Sequence, residues 1–288
     1  MILGSTGMLG VMLSEYLERL GHIVYRINRS DLQLSPDTKR TNLEDVYYRN
    51  HPDIIINLVA NTNVDYCELN PILSFQDNCI SLILLQKIFK QDNGKCFPYL
   101  IHISTDQVYD GIGPHRESEI FPINTYAISK VASEHYATQL NAIILRTNFF
   151  GKNKCKNRES ISDWLIRSAS NKIAITLFRD VYFNPLSIET TCSFIEKISH
   201  TNIRGIFNLG SNDGLSKATF GLNLLRGLGI GCEEIKIGSV SDSGFIAPRP
   251  KDMRTNVEKI EGAFKFSMPS LMTEISKFCG DYIDEAKL

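Results

Sequence analysis

Short, mostly apolar runs alternate with helical patterns along the first half of the chain. The runs are Met1–Leu3, Ile23–Ile27, Ile54–Val59, Tyr99–Ile103 and Ala142–Leu145. Strands that are apolar along their length, instead of alternating with polar residues, are typical of a parallel sheet that helices cover on both faces. The pattern therefore predicts a doubly wound α/β fold with a parallel sheet.

Apolar residues at helical spacing predict the helices that separate these runs. Two helices are expected over Pro71–Phe89 and Tyr126–Gln139. An earlier helix ends at Gly21, a residue type that often stops a helix. One face of that helix carries six apolar residues: Leu9, Met12, Leu13, Tyr16, Leu17 and Leu20.

The second half of the 288-residue chain has more glycine, serine and proline and a weaker periodicity. We therefore predict two domains, one over 1–150 and a smaller α/β domain over 151–288. Ile173–Leu177 and Gly205–Leu209 resemble further sheet strands, so elements from about 173–209 are expected to return to the first domain.

Composition narrows the function classes. A net charge of -1 gives no overall basic field that would attract nucleic acid or an anionic membrane. The apolar runs are shorter than the roughly 18 residues of a membrane helix, and the N-terminus lacks the pattern of a secretory signal. Seven scattered cysteines, without a C-x-x-C pair or zinc spacing, predict free thiols in a reducing cytoplasm and no metal site.

A glycine-rich turn with the spacing G-x-x-G-x-x-G joins the first strand to the first helix. Glycine permits the tight turn and lets the backbone approach a pyrophosphate, while the helix N-terminus offers free N–H groups. Because the turn opens the first βαβ unit, it predicts a dinucleotide site. Its candidate residues are Gly4, Thr6, Gly7, Met8, Leu9 and Gly10.

The end of the second strand bears on which dinucleotide binds. NAD sites usually carry an acidic residue there, which binds the ribose 2′-hydroxyl. This chain has Asn28 and Arg29, and a guanidinium suits a 2′-phosphate. The sequence favours NADPH, with NADH as the alternative because Asp31 lies close by.

Tyr126 is the one tyrosine of eleven that has a lysine, Lys130, four residues later. On a helix this spacing puts both side chains on one face. A lysine ammonium lowers the pKa of a neighbouring phenol, so Tyr126 can donate a proton to a carbonyl oxygen as hydride arrives. Thr105 follows a buried strand, where doubly wound folds bind ligands, and its hydroxyl can hydrogen-bond the same carbonyl.

These motifs together resemble the extended short-chain dehydrogenase/reductase superfamily, and within it the dTDP-4-dehydrorhamnose reductase family. The resemblance spans nearly the whole chain, and the order and spacing of its segments are more specific than any one motif. The matching segments are Gly4–Gly10, Asn57–Asp65, Asn78, Ser104–Gly111, Tyr126 with Lys130, Leu145–Gly151, and Arg249-Pro250 with Arg254.

The resemblance implies a Rossmann domain that binds NADPH, a substrate domain, and reduction of a nucleotide-linked 4-keto-6-deoxy sugar for a surface polysaccharide. Tyr126 would be the general acid, Lys130 would lower its pKa and hold the nicotinamide ribose, and Thr105 would polarise the ketone. The remaining roles are divided between the cofactor, for Val59, Ala60 and Thr62, and the substrate, for Asp106, Asn148 and Arg249.

The sequence departs from the family at several positions. Phenylalanines follow Asn148 where relatives usually have a tryptophan, and Met12 replaces the first acidic ligand of a magnesium site, so we expect no such metal. No residue precedes Met1 in the first strand, which suggests a late start or a trimmed strand.

Two alternatives stay open beside the reductase. Related dehydratases have a glutamate base where this chain has Gln107, and an amide cannot accept that proton, so dehydration is not expected. Epimerisation with tightly bound NAD uses the same tyrosine and lysine. A non-catalytic, NADP-binding regulatory subunit is the other alternative, and a homodimer is open in each case.

Overall fold

The computed structural model describes residues 1–33, 41–91, 97–155 and 159–285. The strands are β1 (Ile2–Leu3), β2 (Arg26–Ile27), β3 (Ile54–Asn57), β4 (Tyr99–Thr105), β5 (Ile143–Thr147), β6 (Phe149–Phe150), β7 (Ile175–Phe178), β8 (Tyr182–Phe183), β9 (Leu186–Ser187), β10 (Gly205–Leu209), β11 (Leu215–Ser216) and β12 (Ile235–Gly238). The helices are α1 (Met8–Arg19), α2 (Asn42–Asn50), α3 (Val64–Leu69), α4 (Pro71–Gln91), α5 (Thr125–Gln139), α6 (Ile161–Ser170), α7 (Ile188–Ser199), α8 (Lys217–Gly227), α9 (Glu258–Phe264) and α10 (Leu271–Glu285).

Six strands form one sheet in the order β10-β5-β4-β3-β1-β2. Strand β1 pairs in parallel with β2 on one side and with β3 on the other, so that Ile2 lies opposite both Arg26 and Ile56. The order of the strands reverses at β1, and doubly wound folds bind ligands at such a reversal. The predicted doubly wound parallel sheet is confirmed, and its reversal lies where the glycine turn follows β1.

The second strand is shorter than predicted. The sequence indicated Ile23–Ile27, but only Arg26–Ile27 pairs with β1. This strand lies at the edge of the sheet, so one of its two sides has no neighbouring strand among those described. Ile23 precedes this strand and is 80% exposed, so an apolar residue at this position is not buried.

The two further strands that the sequence predicts in the second half belong to different sheets. Gly205–Leu209 is β10 and lies at the far edge of the six-stranded sheet. The run predicted over Ile173–Leu177 forms β7 at Ile175–Phe178, which pairs in parallel with β12 in a separate two-stranded sheet.

The chain forms two compact units, each drawn from three segments. The first unit consists of Met1–Ser104, Asn124–Leu145 and Cys192–Ile206, and the second consists of Thr105–Ile123, Arg146–Thr191 and Phe207–Leu288. Each unit has its own apolar core. The first core packs Leu3, Ile55, Leu85 and Ile144 from sheet and helices, and the second is built around Phe150, Phe183, Phe220 and Phe278.

Helix α4 is the one described helix whose length and composition would suit a membrane span. Its buried residues, however, include Leu82, Leu85 and Ile88, which belong to the apolar core of the first unit. Its apolar character is therefore explained by packing in that core.

Glycine is required at position 10, where α1 passes close to the preceding turn. A Cβ on Gly10 would lie 2.3 Å from the Gly4 carbonyl oxygen and 2.8 Å from backbone atoms of Ser5. Neither neighbour is a flexible side chain that can move aside. The turn and the helix can therefore approach this closely only with glycine at this position.

We predict that Gly10→Ala lowers the free energy of unfolding by about 1–3 kcal/mol, as overpacking typically does. Urea denaturation of the wild type and the variant measures this difference. Gly280→Ala in α10 is the matched control, because its Cβ would meet nothing within 4 Å, and it should stabilise the helix by about 0.5–1 kcal/mol. Equal stabilities for Gly10→Ala and wild type would contradict the packing argument.

Candidate active site

The glycine turn of the first unit folds the chain back against the end of β3. Gly4 has φ = +82°, and its N–H donates to the Ile27 carbonyl at 2.8 Å. A Cβ on Gly4 would lie 3.1 Å from the backbone of Leu58 and Val59. The turn therefore depends on a left-handed backbone conformation and on close approach to the loop that follows β3.

The same turn presents the N-terminus of α1. Gly7 is the N-cap in an extended conformation, and the first backbone N–H groups of a helix have no partner within the helix. Of the predicted residues, Thr6 is exposed and Met8 is partly buried, whereas Leu9 is buried in the protein. Leu9 can therefore offer a ligand its backbone but not its side chain.

Asn28 and Arg29 form a tight turn directly after β2. The Asn28 side chain accepts from the Ser30 backbone N–H at 2.8 Å, and Asp31 accepts from the Asn28 N–H at 2.8 Å. Asp31 also accepts from the Asn42 amide, so both of its oxygens stabilise the loop. The Arg29 guanidinium is 75% exposed and pairs through one nitrogen with Asp77.

The loop after β3 lies next to the glycine turn in the first unit. Asn57 accepts from the Val59 N–H at 3.2 Å, and the Asn61 N–H donates to Asn78 at 2.6 Å. These bonds fix the backbone of the predicted cofactor residues, of which Val59 and Ala60 are partly buried and Thr62 is exposed. The loop thus lies beside Gly4, where the order of the strands reverses.

Tyr126 and Lys130 lie one turn apart on α5, whose first turn is capped by the Asn124 side chain. Tyr126 is 4% exposed and Lys130 is 1% exposed. The Lys130 amine donates to the Ile103 carbonyl of β4 at 2.9 Å. Burial lowers the pKa of Lys130 to about 8, against the attraction of Glu134. The ammonium is therefore the main form at neutral pH.

Helix α5 is locked to α4 by a buried serine. The Ser129 hydroxyl donates to the Tyr126 carbonyl at 2.7 Å and accepts from the Asn78 amide at 2.6 Å. Asn78 is fully buried and also accepts from Asn61. One asparagine therefore links the helix of Tyr126 with the loop after β3.

His102 lies in the core of the first unit and does not face the predicted site. Its ring nitrogens lie 3.0 Å from Asn57 and from Ser133, and its side chain has no exposed surface. Burial, together with the charge of Lys130, holds the pKa of His102 well below its ordinary value. It is therefore a neutral hydrogen-bonding residue that joins β3, β4 and α5.

Thr105, Asp106 and Asn148 meet in the second unit. The Thr105 hydroxyl accepts from the Gln107 N–H at 3.2 Å, which starts a 3₁₀ turn. The Asn148 amide donates to Asp106 at 2.8 Å. Asp106 is 3% exposed, and burial raises the pKa of its carboxyl to about 6, while Asn148 and the charge of Lys217 oppose that rise.

Lys217 is a charged residue of this site that sequence reasoning missed. It begins α8, and burial lowers the pKa of its amine, with Asp106 acting against this shift and Arg249 adding to it. The Arg249 guanidinium stacks on Phe245 at 4.3 Å and donates to the Ala247 carbonyl. Lys217 lies in no recognisable motif, so only its position in the folded unit reveals it.

The predicted residues therefore divide between the two units. The turn, Arg29, the loop after β3, and the Tyr126–Lys130 pair belong to the first unit, and Thr105, Asp106, Asn148 and Arg249 belong to the second. In the first unit, hydrogen bonds connect Tyr126 with the loop after β3 through Ser129 and Asn78, and in the second unit Asn148 binds Asp106. The residues of the first unit suit the binding of a ribose that carries a phosphate, and they include an acid–base pair. The residues of the second unit suit a polar substrate.

The chain matches the family model described as RmlD substrate binding domain over residues 1–283. It is 25% identical to a probable low-salt glycan biosynthesis reductase, Agl14, of Haloferax volcanii over 96% of this chain and 95% of the relative. It is also 25% identical to a dTDP-4-dehydrorhamnose reductase of Salmonella typhimurium, with 93% of each chain covered.

Solved structures show the same fold. The dTDP-4-dehydrorhamnose reductase of Bacillus anthracis, crystallised with NADP, has a TM-score of 0.85, 24% identity and 98% coverage of both chains. A dTDP-4-dehydrorhamnose reductase from Clostridium acetobutylicum has a TM-score of 0.84 and 20% identity, and the alignment covers 100% of this chain and 99% of that one.

We predict that the buried carboxyl of Asp106 makes stability depend on pH in a defined window. Its folded pKa of about 6 lies above the ordinary value of 3.8, so the folded state holds this proton more tightly than the unfolded state does. The wild type should lose stability relative to Asp106→Asn as pH rises from about 4 to 6, by about 3 kcal/mol at most.

Urea unfolding of both proteins across pH 4 to 8 measures the difference. Asn148→Ala serves as a comparison, because it removes the amide that favours the carboxylate. It should extend the upper end of the window to higher pH, while the lower end, set by the unfolded chain, stays near pH 4. A difference between wild type and Asp106→Asn that stays constant across this range would show that Asp106 is not a perturbed acid.

Proposed function

Because the chain belongs to the RmlD substrate binding domain family, we propose that it is an NADPH-dependent reductase of a nucleotide-linked 4-keto-6-deoxy sugar. The observation that carries the proposal is the Tyr126–Lys130 pair, in which a buried, mainly protonated amine lies one helical turn from a phenol. This chain aligns with nearly the whole length of the relatives that are named as reductases. We infer that the product is a deoxy sugar for a surface polysaccharide or glycan.

The residues of the first unit fit a dinucleotide phosphate. A Cβ at Gly10 would fill the space between the turn and α1, and the α1 N-terminus attracts anions. We assign the backbone of Gly4, Gly7 and Gly10 to the pyrophosphate, and the remaining Arg29 donors to the 2′-phosphate that distinguishes NADPH. The solved relative from Bacillus anthracis is a complex with NADP.

NADPH, when bound, supplies the hydride for the ketone carbon. In our proposal Tyr126 then gives its phenolic proton to the ketone oxygen, and Lys130 stabilises the phenolate that remains. The Lys130 amine already donates to the Ile103 carbonyl, so its other N–H donors stay available for the ribose and the phenol. Thr105 donates its hydroxyl proton to the ketone oxygen and polarises the carbonyl.

The second unit supplies the substrate contacts in this proposal. Asn148 and Asp106 form a hydrogen-bonded pair that can hold sugar hydroxyls. Arg249 and Lys217 bring positive charge to the same region, and positive charge suits the diphosphate of a nucleotide sugar. We infer a cytoplasmic enzyme whose partner is this small substrate, with neither nucleic acid nor membrane required.

Two activity assays separate this proposal from its alternatives. Purified protein should consume NADPH only when a 4-keto-deoxy sugar nucleotide is added, and a panel of dTDP-, GDP-, UDP- and CDP-linked sugars would identify the nucleotide. Tightly bound NAD in the purified protein, together with interconversion of sugar epimers, would favour an epimerase. NADP binding without turnover of any ketone would favour the regulatory subunit.

We predict that Tyr126→Phe lowers kcat by about 10²–10⁴-fold, the range typical of a lost general acid. NADPH affinity should change little, since the aromatic ring remains. Stopped assays of NADPH oxidation and fluorescence titration with NADPH measure the two effects. Tyr136→Phe, a partly buried tyrosine on the same helix, is the matched control and should retain turnover, and wild-type turnover in Tyr126→Phe would refute the assignment.

We predict that Arg29→Ala weakens NADPH binding by about 10–100-fold, the cost of a charge-assisted hydrogen bond, and leaves NADH binding unchanged. Titration with both nucleotides tests this selectivity. Arg26→Ala is the control, because Arg26 lies on β2 but binds Glu18 with two nitrogens. An equal loss of affinity for NADPH and NADH in Arg29→Ala would exclude a role in reading the 2′-phosphate.

A further inference from the structure

A cluster of metal-ligating side chains lies in the first unit, away from the glycine turn. His22, Glu196 and His200 each offer one ligand atom, and these atoms all lie within 4.8 Å of one another. His22 follows the end of α1, Glu196 lies in the last turn of α7, and His200 comes directly after α7. We refer to these three residues as the histidine cluster.

The backbone at His22 is fixed by the way α1 ends. Gly21 has φ = +87° and donates to the Glu18 carbonyl at 3.0 Å, and the His22 N–H donates to the Leu17 carbonyl at 3.1 Å. These two bonds form a Schellman motif, which glycine in the left-handed conformation permits. His22 is therefore held at a set position beyond the helix.

The end of α7 is held in a similar way. Glu196 and His200 are four residues apart and so share a face of the helix, with Glu196 Oε1 and His200 Nε2 separated by 2.7 Å. Thr201 donates its N–H and its hydroxyl to the Ile198 carbonyl, at 3.0 and 2.8 Å. Both chain segments that carry the ligands are thus anchored before any ion binds.

The electrostatics of the cluster favour a cation. Two helices of 12 residues, α1 and α7, end beside it, and helix C-termini carry partial negative charge. The neighbouring basic residues are directed elsewhere, since Arg19 lies over the Tyr16 ring and Lys197 lies over the Phe194 ring. Glu18, in the last turn of α1, pairs with Arg26.

We propose that the histidine cluster is a binding site for a divalent transition metal of the Zn²⁺ class. Two imidazoles and one carboxylate are a typical three-ligand set for Zn²⁺, with water in the fourth position. The His22 and His200 ring centroids are 5.9 Å apart, and His200 is solvent-accessible. On binding, the metal replaces the hydrogen bond between Glu196 and His200, and any proton on the ligating nitrogen leaves to solvent.

We assign the metal a stabilising role, because the histidine cluster lies away from the glycine turn. His22 precedes β2 and His200 precedes β10, so the cluster lies at the amino-terminal edge of the sheet, whereas the glycine turn follows the carboxyl end of β1. A metal there would join α1 to α7 across two segments that are far apart in sequence. Because it would bind only the folded chain, it would raise the stability of the first unit.

Isothermal titration of the full chain with Zn²⁺ tests the proposal. The wild type should bind one ion per chain, and His22→Ala and His200→Ala should each bind at least about tenfold more weakly. Zn²⁺ should raise the thermal midpoint of the wild type and not that of the variants. Circular dichroism melts without metal check that each variant folds like the wild type.

Two controls separate the histidine cluster from other metal-binding groups. His135→Ala removes an exposed histidine that pairs with Gln139 on α5, and it should leave Zn²⁺ binding unchanged. Co²⁺ substitution should give d–d bands without thiolate charge transfer, which excludes the partly buried Cys155 and Cys232. No stoichiometric binding by the wild type, equal binding by all variants, or a thiolate spectrum would overturn the proposal.

Discussion

The candidate site of the first unit depends on the hydrogen bond between the buried Lys130 ammonium and the Ile103 carbonyl. Removing a charged amine from water costs several kcal/mol, and the fold offsets this with the Ile103 carbonyl and the nearby Glu134 carboxylate. Glu134 in turn accepts from Ser104 on β4. Helix α5 is thereby fixed on β4, and Tyr126 is fixed at the start of that helix.

The same helix is held from its other side by neutral hydrogen bonds. Ser129 and Asn78 are fully buried and connect α5 with α4 and with the loop after β3. Buried polar networks whose members are satisfied favour a single arrangement over its alternatives. The position of the acid–base pair relative to the glycine turn therefore follows from packing and hydrogen bonds within one unit.

Much of this unit could be predicted from the sequence, because its signals are local. Apolar runs marked β3, β4 and β5, and the spacing of Tyr126 and Lys130 marked one face of α5. The edge strand β2 was overestimated, since Ile23 is apolar but exposed. The glycine spacing identified the turn, yet only the structure shows that Gly10 lies against the Gly4 carbonyl.

The features that the sequence could not reveal depend on distant segments. Lys217 begins a helix more than a hundred residues after Asp106, and no spacing rule connects the two. His22 and His200 are likewise far apart, so a search for zinc spacing along the chain could not find them. Each pair is brought together by tertiary packing, which local patterns do not encode.

The central claim, that this chain passes hydride from NADPH to a sugar ketone, can be tested by isotope transfer. Wild-type protein would be incubated with NADPH that carries deuterium at both C4 positions of the nicotinamide and with a 4-keto-6-deoxy sugar nucleotide. The account predicts a reduced sugar nucleotide that carries one deuterium on carbon, detected by mass spectrometry. A product without deuterium, or recovery of unreduced sugar from a cofactor-bound protein, would contradict it.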